Sequence, residues 1–418
     1  MLNIYNSPTS QNKKIKIIIS DTAPLYPPLW GGPIRIWNLF GNLSENFEVI
    51  YVGPVFQLGA KYSEIQIKPN LKEIKVPVTK LYYPFRWFEL KFLKGLTFEL
   101  FSYLFMSLDL RFKRILAKQD ADILVSSHPW SFPCLKKKRK NQILIYDSHN
   151  CEYLLMREIT KKRWYRSIVC WLVKIIEKDA CRRSDIIFAC SYEDIRAFIN
   201  LYKVSENKIY FIPNGTNPKP YFTEEEKNKL KALYGFKKII LFIGTYFNPN
   251  IEAVRFIIDD LAKKLNECLF LIVGWVKWAF SNDNLPQNVK FLGRIDDDKL
   301  YKIMAITDVA INPMMSGSGI NIKMLDYLSA GLPVVSTPIG ARGIGAEDKK
   351  HLLISELDNF AENIKKLLQD NNISMQLREY GRKLIEEKFL WSDIRNRMVK
   401  ILLDKFKDET GISNYSES

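Results

Sequence analysis

The chain has 418 residues, of which 47% are hydrophobic, and this length predicts two large domains or three small ones. The apolar content excludes low-complexity disorder, and six scattered cysteines in so long a chain exclude a disulfide scaffold. The 62 basic and 46 acidic residues give a net charge of +16, which indicates an anionic partner: nucleic acid, a membrane surface or a phosphorylated substrate.

Neither a metal site nor a membrane span is expected. No two cysteines form a CxxC pair, and the three histidines, His128, His149 and His351, are too dispersed for a ligand cluster. The polar start of the chain has no signal-peptide pattern, and no uncharged apolar stretch reaches the roughly 18 residues of a transmembrane helix. A reducing, cytoplasmic location fits this composition best.

Short β-branched runs alternate with longer helix-period segments along the chain. In the first half, strands are predicted at 15–20, 48–52, 72–77, 122–127, 142–147, 185–190 and 208–212. After a polar linker they resume at 238–243, 269–273, 289–292, 307–312, 333–336 and 351–355. Near-continuous apolar strands separated by helices are typical of a parallel sheet covered on both faces, so the two series predict an α/β protein of two doubly wound, Rossmann-like domains.

Three segments depart from this alternation. Residues 81–115 mix aromatic side chains with lysine and arginine, and they are predicted to form one or two helices. Residues 152–183 are also predicted to be helical and contain nine basic and four acidic residues. Residues 408–418 are small and polar, so we expect a frayed tail.

One glycine-rich loop follows the first predicted strand, at the position where open α/β sheets bind ligands. Gly31 and Gly32 precede Pro33 and an apolar helix that contains Arg35. Paired glycines allow the backbone to approach a ligand closely, although a tight loop explains them equally well.

The strongest site signal is the segment 313–326, which leads from a strand into an amphipathic helix. The residues at the start of that helix are Ser318, Gly319, Ile320 and Asn321. Backbone N–H groups at such a position can hold phosphate oxygens. Lys323 lies in the first turn, where a cation does not favour the helix dipole, and this indicates a bound anion. The alternative is an ordinary capped helix with a solvated pair of Lys323 and Asp326. A second glycine-rich turn, 338–343, follows the next strand, so two loops should converge on one edge of the sheet.

The run Gly317–Thr337 (GSGINIKMLDYLSAGLPVVST) resembles the donor-binding signature of the retaining GT-B glycosyltransferases. Other similar segments occur in the order expected for that family: Tyr146–Glu152 for the active-site histidine, Ile212–Gly215 for the interdomain turn, Phe242–Gly244 for the start of the donor domain and Phe291–Arg294 for a later strand. The chain is thus similar to this family over most of its length.

The resemblance implies the GT-B fold, in which two Rossmann-like domains face a cleft. It assigns residues 1–213 to an acceptor-binding domain, 214–390 to a nucleotide-sugar donor domain, and 391–418 to a helix that crosses back to the first domain plus a polar tail. It also implies metal-independent hexosyl transfer without a cofactor, from a UDP- or GDP-sugar to a glycan or lipid-linked glycan, as in polysaccharide and glycoconjugate biosynthesis.

The same resemblance implies the site residues. The catalytic residues would be His149, Lys323 and Asp326. The donor would be bound by Gly31, Gly32, Arg35, Gly244, Arg294, Ser318, Gly319, Ile320 and Asn321, together with Lys323 and Asp326.

One departure from the family concerns its acidic motif. The family usually has Glu at both ends of an eight-residue step, whereas this chain has Ser318 and Asp326. The shorter carboxylate of Asp326 can still accept hydrogen bonds from a ribose diol, but Ser318 cannot act as a carboxylate.

A second departure follows Gly244. Many relatives have an arginine and a lysine there for the diphosphate, whereas this chain has the uncharged sequence TYFNPN at 245–250. The cationic role would therefore fall on Lys323, Arg294 or Arg35.

Other polar residues near strand ends leave alternatives open. His149 would face the sugar and the acceptor by resemblance, although a capping or packed histidine is the alternative. For His128, a place in the acceptor cleft and a packing role in a loop explain the sequence equally well. Glu152 is interpreted as solvating a helix turn rather than orienting His149, and Asp296–Asp298 as a helix N-terminus rather than a metal-binding DxD motif.

The positive charge is concentrated in the first domain, in the runs 136–140 and 161–166 and in the stretch 81–115. Basic residues among aromatic ones suit an anionic membrane and a lipid-linked acceptor, which predicts peripheral association with the inner face of the cell membrane. A solvated surface explains each run singly. The rival functions are a GT-B nucleotide-sugar epimerase or hydrolase and, remotely, a nucleic-acid-binding protein; no motif for nucleic acid is present, so no such partner is expected.

Overall fold

The computed structural model describes residues 14–80, 82–92, 108–137, 139–281, 285–317 and 320–411. Its strands form two sheets. The strands of the first sheet are β1 (Ile15–Ser20), β2 (Phe47–Val55), β3 (Ser63–Lys68), β4 (Leu71–Pro77), β5 (Ile123–Ser127), β6 (Ile143–Asp147), β7 (Ile186–Ala189) and β8 (Ile209–Phe211). Their spatial order is β3-β4-β2-β1-β5-β6-β7-β8, and β3 alone among these strands pairs antiparallel.

The second sheet is parallel throughout. Its strands are β9 (Lys238–Ile243), β10 (Cys268–Val273), β11 (Val289–Gly293), β12 (Val309–Asn312), β13 (Val334–Ser336) and β14 (Leu353–Ile354). Their order is β11-β10-β9-β12-β13-β14, so the order reverses next to β9. Such a switch point leaves a crevice beyond the carboxyl ends of the strands, where ligands bind.

Helices cover both sheets. Those of the first unit are α1 (Gly31–Leu39), α2 (Tyr82–Phe92), α3 (Leu110–Lys118), α4 (Glu152–Ile159), α5 (Arg166–Arg183) and α6 (Tyr192–Tyr202). Those of the second are α7 (Glu224–Ala232), α8 (Asn248–Phe256), α9 (Ala262–Lys264), α10 (Asp297–Ile306), α11 (Ile322–Ser329), α12 (Phe360–Gln369) and α13 (Asn371–Lys388), and a π-helical turn at Ile257–Leu261 joins α8 to α9. The last helix is α14 (Trp391–Thr410).

Both faces of each sheet are buried, and this explains the near-continuous apolar strands. In β1, Ile17 and Ile19 belong to one hydrophobic cluster while Ile18 belongs to the cluster on the other face. In β9, Ile240 and Leu241 divide between two clusters in the same way. Alternate side chains of a strand point to opposite faces, so both sets must be apolar. The prediction of an α/β protein with two doubly wound units is confirmed.

The structure differs from the sequence-based expectations in a few elements. The edge strand β3 was not predicted, because its exposed side chains give no continuous apolar run. The linker contains α7, which begins with a capping box between Thr223 and Glu226. The segment 152–183 is helical as predicted, and it consists of the two helices α4 and α5. Much of 81–115, at 93–107, lies outside the described residues, as does 412–418 of the expected tail.

The final helix α14 connects the two units. Leu390, just before it, pairs with Thr216 of the linker, and Trp391, Ile394 and Met398 pack in a core of the first sheet. The Arg395 side chain donates to the carbonyl of Asn38 in α1 at 3.2 Å. In the part of the chain that is described, no helix is both long and apolar enough to span a membrane.

Candidate active site

Two helix N-termini face each other across the cleft. An ideal Cβ on Gly31, at the start of α1, would lie 3.5 Å from Cδ1 of Ile322, at the start of α11. The preceding residues, Trp30 and Asn321, make no side-chain capping hydrogen bond. Gly31 and Gly32 of α1 and Ile322 and Lys323 of α11 carry first-turn N–H groups without intrahelical acceptors, and each helix dipole is positive at this end. The cleft between them therefore favours a negatively charged ligand.

Lys323, in the first turn of α11, can supply a positive charge to such a ligand. Its Nζ donates to Oδ1 of Asn250 at 2.7 Å and lies 4.3 Å from the centre of the Phe242 ring. Among the described residues no carboxylate pairs with it, and burial lowers the pKa of Lys323 to about 7. An anion bound here would stabilise the charged form of the lysine, because an opposite charge favours protonation.

Gly244 makes the position of Lys323 sterically feasible. An ideal Cβ on Gly244 would come within 2.9 Å of the Phe242 ring and 3.2 Å of Asn250. Asn250, in the first turn of α8, also donates from Nδ2 to the carbonyl of Thr245 at 3.1 Å. Gly244 was predicted to bind the donor directly. It is buried, however, so it supports Lys323 through Asn250 and does not line the ligand surface.

Two loops converge on this edge of the second sheet, as expected. The Thr337 hydroxyl donates to the carbonyl of Met314 at 2.6 Å, and Nη2 of Arg342 donates to the carbonyl of Gly317 at 2.7 Å. The Asn321 side chain donates to the carbonyl of Gly340 at 3.1 Å. Ile320 and Asn321 thus lie at the cleft, whereas Ser318 and Gly319 lie outside the described residues.

Asp326 faces the interdomain linker. Its Oδ1 accepts from the Thr216 hydroxyl and from Nζ of Lys219, both at 2.7 Å. The side chain keeps about a quarter of its surface exposed. The ion pair with Lys219 was not predicted, because the two residues are 107 positions apart in the sequence. Asp326 therefore ties α11 to the linker, which leaves Oδ2 for the predicted contact with a ribose.

Arg35 does not reach the cleft, contrary to its predicted role in diphosphate binding. The side chain is fully buried, and Nη2 lies 2.6 Å from Oδ1 of Asp147, the last residue of β6. Nη1 donates to the carbonyl of Pro213 at 3.1 Å. Burial disfavours the guanidinium charge, but the Asp147 carboxylate outweighs this effect and raises the pKa of Arg35. Arg35 therefore joins α1, β6 and the linker as a structural ion pair.

His149 follows the same strand and borders the cleft with one side of its ring. Nε2 lies 3.0 Å from the Ser127 hydroxyl and 3.6 Å from Oδ2 of Asp147. An ideal Cβ on Gly32 would be 3.6 Å from Nδ1 of His149, so α1 begins within van der Waals reach of the ring. Burial, together with the adjacent His128 ring, lowers the pKa of His149.

The His128 ring lies against the His149 ring, tilted by 36°, and belongs to the same site. The ring centroids are 4.1 Å apart, and Nδ1 of His128 lies 3.1 Å from Oε1 of Glu152. His128 has φ 68° and ψ 159°, a region that is almost confined to glycine and is strained by about 1–3 kcal/mol for other residues. The interpretation of Glu152 as a solvated residue was wrong, because the side chain is 2% exposed and holds His128. The sequence does not show that His128 has a positive φ. It therefore could not distinguish a histidine that lines the cleft from one that packs in a loop.

A cavity of about 490 Å³ lies between these groups. The first unit lines it with Asp21, Gly31, Gly32, His128 and His149, among others, and the second unit contributes Ile320. Such a volume is in the range of small-molecule sites. The histidine pair and the α11 N-terminus therefore border one shared space.

Arg294 is the third predicted candidate for diphosphate binding. It follows β11, which is two strands from β9, and its guanidinium lies 5.5 Å from the centre of the Trp275 ring.

Asp296 caps α10 by accepting from the N–H of Lys299 at 2.8 Å, so the expected helix N-terminus is confirmed. Within the described residues no group of three His, Cys, Asp or Glu side chains could hold a metal ion.

The comparison with protein families agrees with this geometry. Residues 75–219 match the family described as Glycosyltransferase Family 4, and residues 237–370 match the family described as Glycosyl transferases group 1. Both units of the chain are therefore covered by glycosyltransferase models. The chain belongs to the GT-B glycosyltransferases.

Individual relatives support the same family over longer stretches. This glycosyltransferase is 25% identical over 406 residues to an uncharacterized glycosyltransferase of Methanocaldococcus jannaschii, a match that covers 91% of the chain and 96% of the relative. It is 28% identical over 240 residues to a GDP-mannose-dependent monoacylated alpha-(1-6)-phosphatidylinositol monomannoside mannosyltransferase of Corynebacterium glutamicum, over 50% of the chain and 62% of the relative. The sucrose-phosphate synthase of Thermosynechococcus elongatus has a similar structure, with a TM-score of 0.72 and 16% identity over 94% of this chain and 100% of that one.

Proposed function

We propose that this glycosyltransferase transfers a hexose with retention of anomeric configuration, from a UDP- or GDP-sugar to a glycan or lipid-linked glycan. The observation that carries the proposal is the meeting of the α1 and α11 N-termini beside Lys323, whose charge has no carboxylate partner among the described residues. Breaking the glycosidic bond of the donor leaves a nucleoside diphosphate, on which negative charge develops. Two helix dipoles and one ammonium group would stabilise that charge.

The same groups suggest how the reaction proceeds without a metal. Fixed N–H donors and a cation act on the leaving phosphate in a partly closed cleft, where they need little reorganisation during the reaction. His128 and His149 line the same cavity as Gly31 and Gly32, and the sugar and the acceptor hydroxyl are proposed to be held there. Asp326 is proposed to accept from the ribose of the donor through its second carboxylate oxygen.

The acceptor is proposed to be membrane-borne, with the protein at the inner face of the cell membrane. The basic segments of the first unit support this choice, since anionic lipids attract clusters of lysine and arginine. The Corynebacterium relative acts, by its name, on a phosphatidylinositol mannoside and depends on GDP-mannose. Both features make a lipid-linked glycan and a cytoplasmic nucleotide sugar the first substrates to try.

A panel of UDP- and GDP-sugars tests the proposal. The full chain should bind at least one of them in a thermal-shift screen, hydrolyse it slowly, and transfer its sugar to a glycan with the donor's anomeric configuration, as read from the anomeric proton of the product. Activity should persist in a chelator. Failure to bind or turn over any nucleotide sugar would remove the transferase proposal, inversion would remove retention, and epimerised donor without transfer would favour an epimerase.

A further inference from the structure

The helix α5 and the turn before it expose a row of large apolar side chains that do not pack in the protein core. Ile168 and Trp171 are 61% and 62% exposed, Ile175 is 48% exposed, and Trp164 in the preceding turn is 81% exposed. Their spacing of three or four residues places them on one face of the helix. Large apolar side chains in such a row mark an interaction surface, since a solvated helix face normally presents polar groups.

The opposite face of α5 already accounts for the packing of the helix. Val169, Cys170, Val173 and Ile176 are buried against Trp130 and Met156 in a small hydrophobic cluster. The exposed stripe is therefore additional to the core, and α5 is apolar on two sides. We call Trp164, Ile168, Trp171 and Ile175 the α5 stripe.

Basic residues flank the α5 stripe. Seven lysines and arginines lie between residues 157 and 178, with only Glu158 and the buried Glu177 as acidic residues. The seven are Arg157, Lys161, Lys162, Arg163, Arg166, Lys174 and Lys178. In the described chain none of them pairs with a carboxylate, although Arg157 and Lys174 lie near the Tyr153 ring. Tryptophan and isoleucine between uncompensated cations is the pattern of a helix that lies in an anionic membrane interface.

We infer that the α5 stripe docks this protein onto an anionic lipid bilayer. A second copy of the chain is the less suitable occupant, because a self-complementary contact across the stripe would bring two sets of cations together. A bilayer offers both required partners, since acyl chains accept the tryptophan and isoleucine side chains while lipid phosphates pair with the cations. The inference rests on the proposed function only for the acceptor, which it identifies as a membrane lipid conjugate.

The docked helix is connected to the active site by direct contacts. Glu177, on the inner side of α5, accepts from the backbone N–H groups of Glu152 and Tyr153 at 2.7 and 3.1 Å. Glu152 in turn holds His128 at the cavity. Trp130, which packs under α5, follows His128 by two residues. A bilayer bound to the α5 stripe would therefore lie close to the acceptor side of the cleft, where a lipid-linked sugar can enter.

Sedimentation with lipid vesicles tests this inference. The full chain should bind phosphatidylcholine vesicles that contain phosphatidylglycerol, bind pure phosphatidylcholine vesicles much less, and be released by salt as surface charges are screened. The double variant Ile168→Glu/Trp171→Glu should lose at least about ten-fold in partitioning to the anionic vesicles, because two carboxylates must then enter the interface. Leu233→Glu is the matched control, since Leu233 is an exposed apolar residue of the second unit, at 78% exposure, and should bind as the unchanged chain does.

Two further readouts separate this inference from the proposed function. Nucleotide-sugar binding and donor hydrolysis in solution should be equal in the unchanged chain and in both variants, because the α5 stripe lies outside the cleft. Loss of those activities in all three would count against the transferase proposal and leave vesicle binding to be judged separately. Equal vesicle binding by the double variant would overturn the inference, and so would a dimer that this variant converts to a monomer.

Discussion

Arg35 and Lys323 are two enclosed cations on opposite sides of one cleft, and the structure gives them different surroundings. Arg35 is fully buried and forms a close ion pair with Asp147, to which its Nε also donates at 3.1 Å. Lys323 contacts an amide oxygen, a thioether and an aromatic ring. The carboxylate raises the pKa of Arg35, whereas burial lowers the pKa of Lys323 to about 7.

The difference indicates which cation is structural and which is available to a ligand. A buried cation that is paired with a carboxylate is already neutralised and does not need a bound anion. Removing the cation leaves the carboxylate buried without a partner. A buried charge without such a partner is costly, and a site that retains it is a candidate for function. We therefore assign fold stability to Arg35 and propose diphosphate stabilisation for Lys323, and the following experiments compare the two.

Arg35→Met should cause the largest change in stability. The substitution leaves the Asp147 carboxylate buried without its partner, which costs about 3–5 kcal/mol in free energy of unfolding. Urea denaturation of the full chain measures this loss. The double variant Arg35→Met/Asp147→Leu should recover part of it, because no buried charge is then left alone. A single variant as stable as the unchanged chain would contradict the structural role of Arg35.

Lys323→Met should affect turnover and leave stability nearly unchanged. Loss of a positioned cation from a site of developing negative charge lowers kcat by about 10²-fold or more. Its unfolding free energy should not fall, because methionine removes a charge that burial disfavours. Lys299→Met is a suitable control: Lys299 also lies in the first turn of a helix, α10, but it is exposed and faces solvent. Near-normal turnover in Lys323→Met would exclude this lysine from the mechanism.

Glu152→Gln should have a smaller effect, confined to the first unit. The change removes the charge that Oε1 presents to Nδ1 of His128, and a hydrogen bond to a charged group contributes about 1.5–3 kcal/mol, so transfer to acceptor should fall by about ten-fold. Donor binding should stay the same, because His128 lies in the first unit. Glu158→Gln, an exposed position on the same helix, should change neither quantity. Normal transfer to the acceptor by Glu152→Gln would leave the histidine pair without a role.

The sequence was informative where a local pattern decides the structure. Strands such as β1 and β9 were predicted at their observed bounds, since residues buried on both faces must be apolar throughout. The edge strand β3 gives no such signal, because its side chains are largely exposed. The helix α11 was also predicted from a local pattern in one short segment, whereas the phosphate site at its start stays a prediction.

Long-range pairing limited the prediction of the site. Arg35 and Lys323 looked equivalent as candidate cations, because Asp147 is 112 residues from the first and Asn250 is 73 residues from the second. The role of Glu152 depended in the same way on a histidine 24 residues earlier whose backbone has positive φ. Composition and spacing identify which groups are present, but only the fold determines which of them are already paired.

The smallest expected effect is the pH dependence of nucleotide binding, and it follows from Lys323 alone. With a pKa of about 7 in the free protein, the lysine loses its charge as the pH rises, so affinity for UDP or GDP should weaken by about five-fold between pH 7 and pH 8. Calorimetric titration measures this change. The ratio of affinities of the unchanged chain and Lys323→Met cancels the titration of the nucleotide itself, and a ratio independent of pH would contradict the assignment.

The stability of the free protein should change with pH in the opposite direction to the nucleotide affinity. Above pH 7 the unfolded lysine, with its ordinary pKa of 10.5, binds a proton that the folded one has released, so the unfolding free energy should rise toward pH 10 relative to the variant.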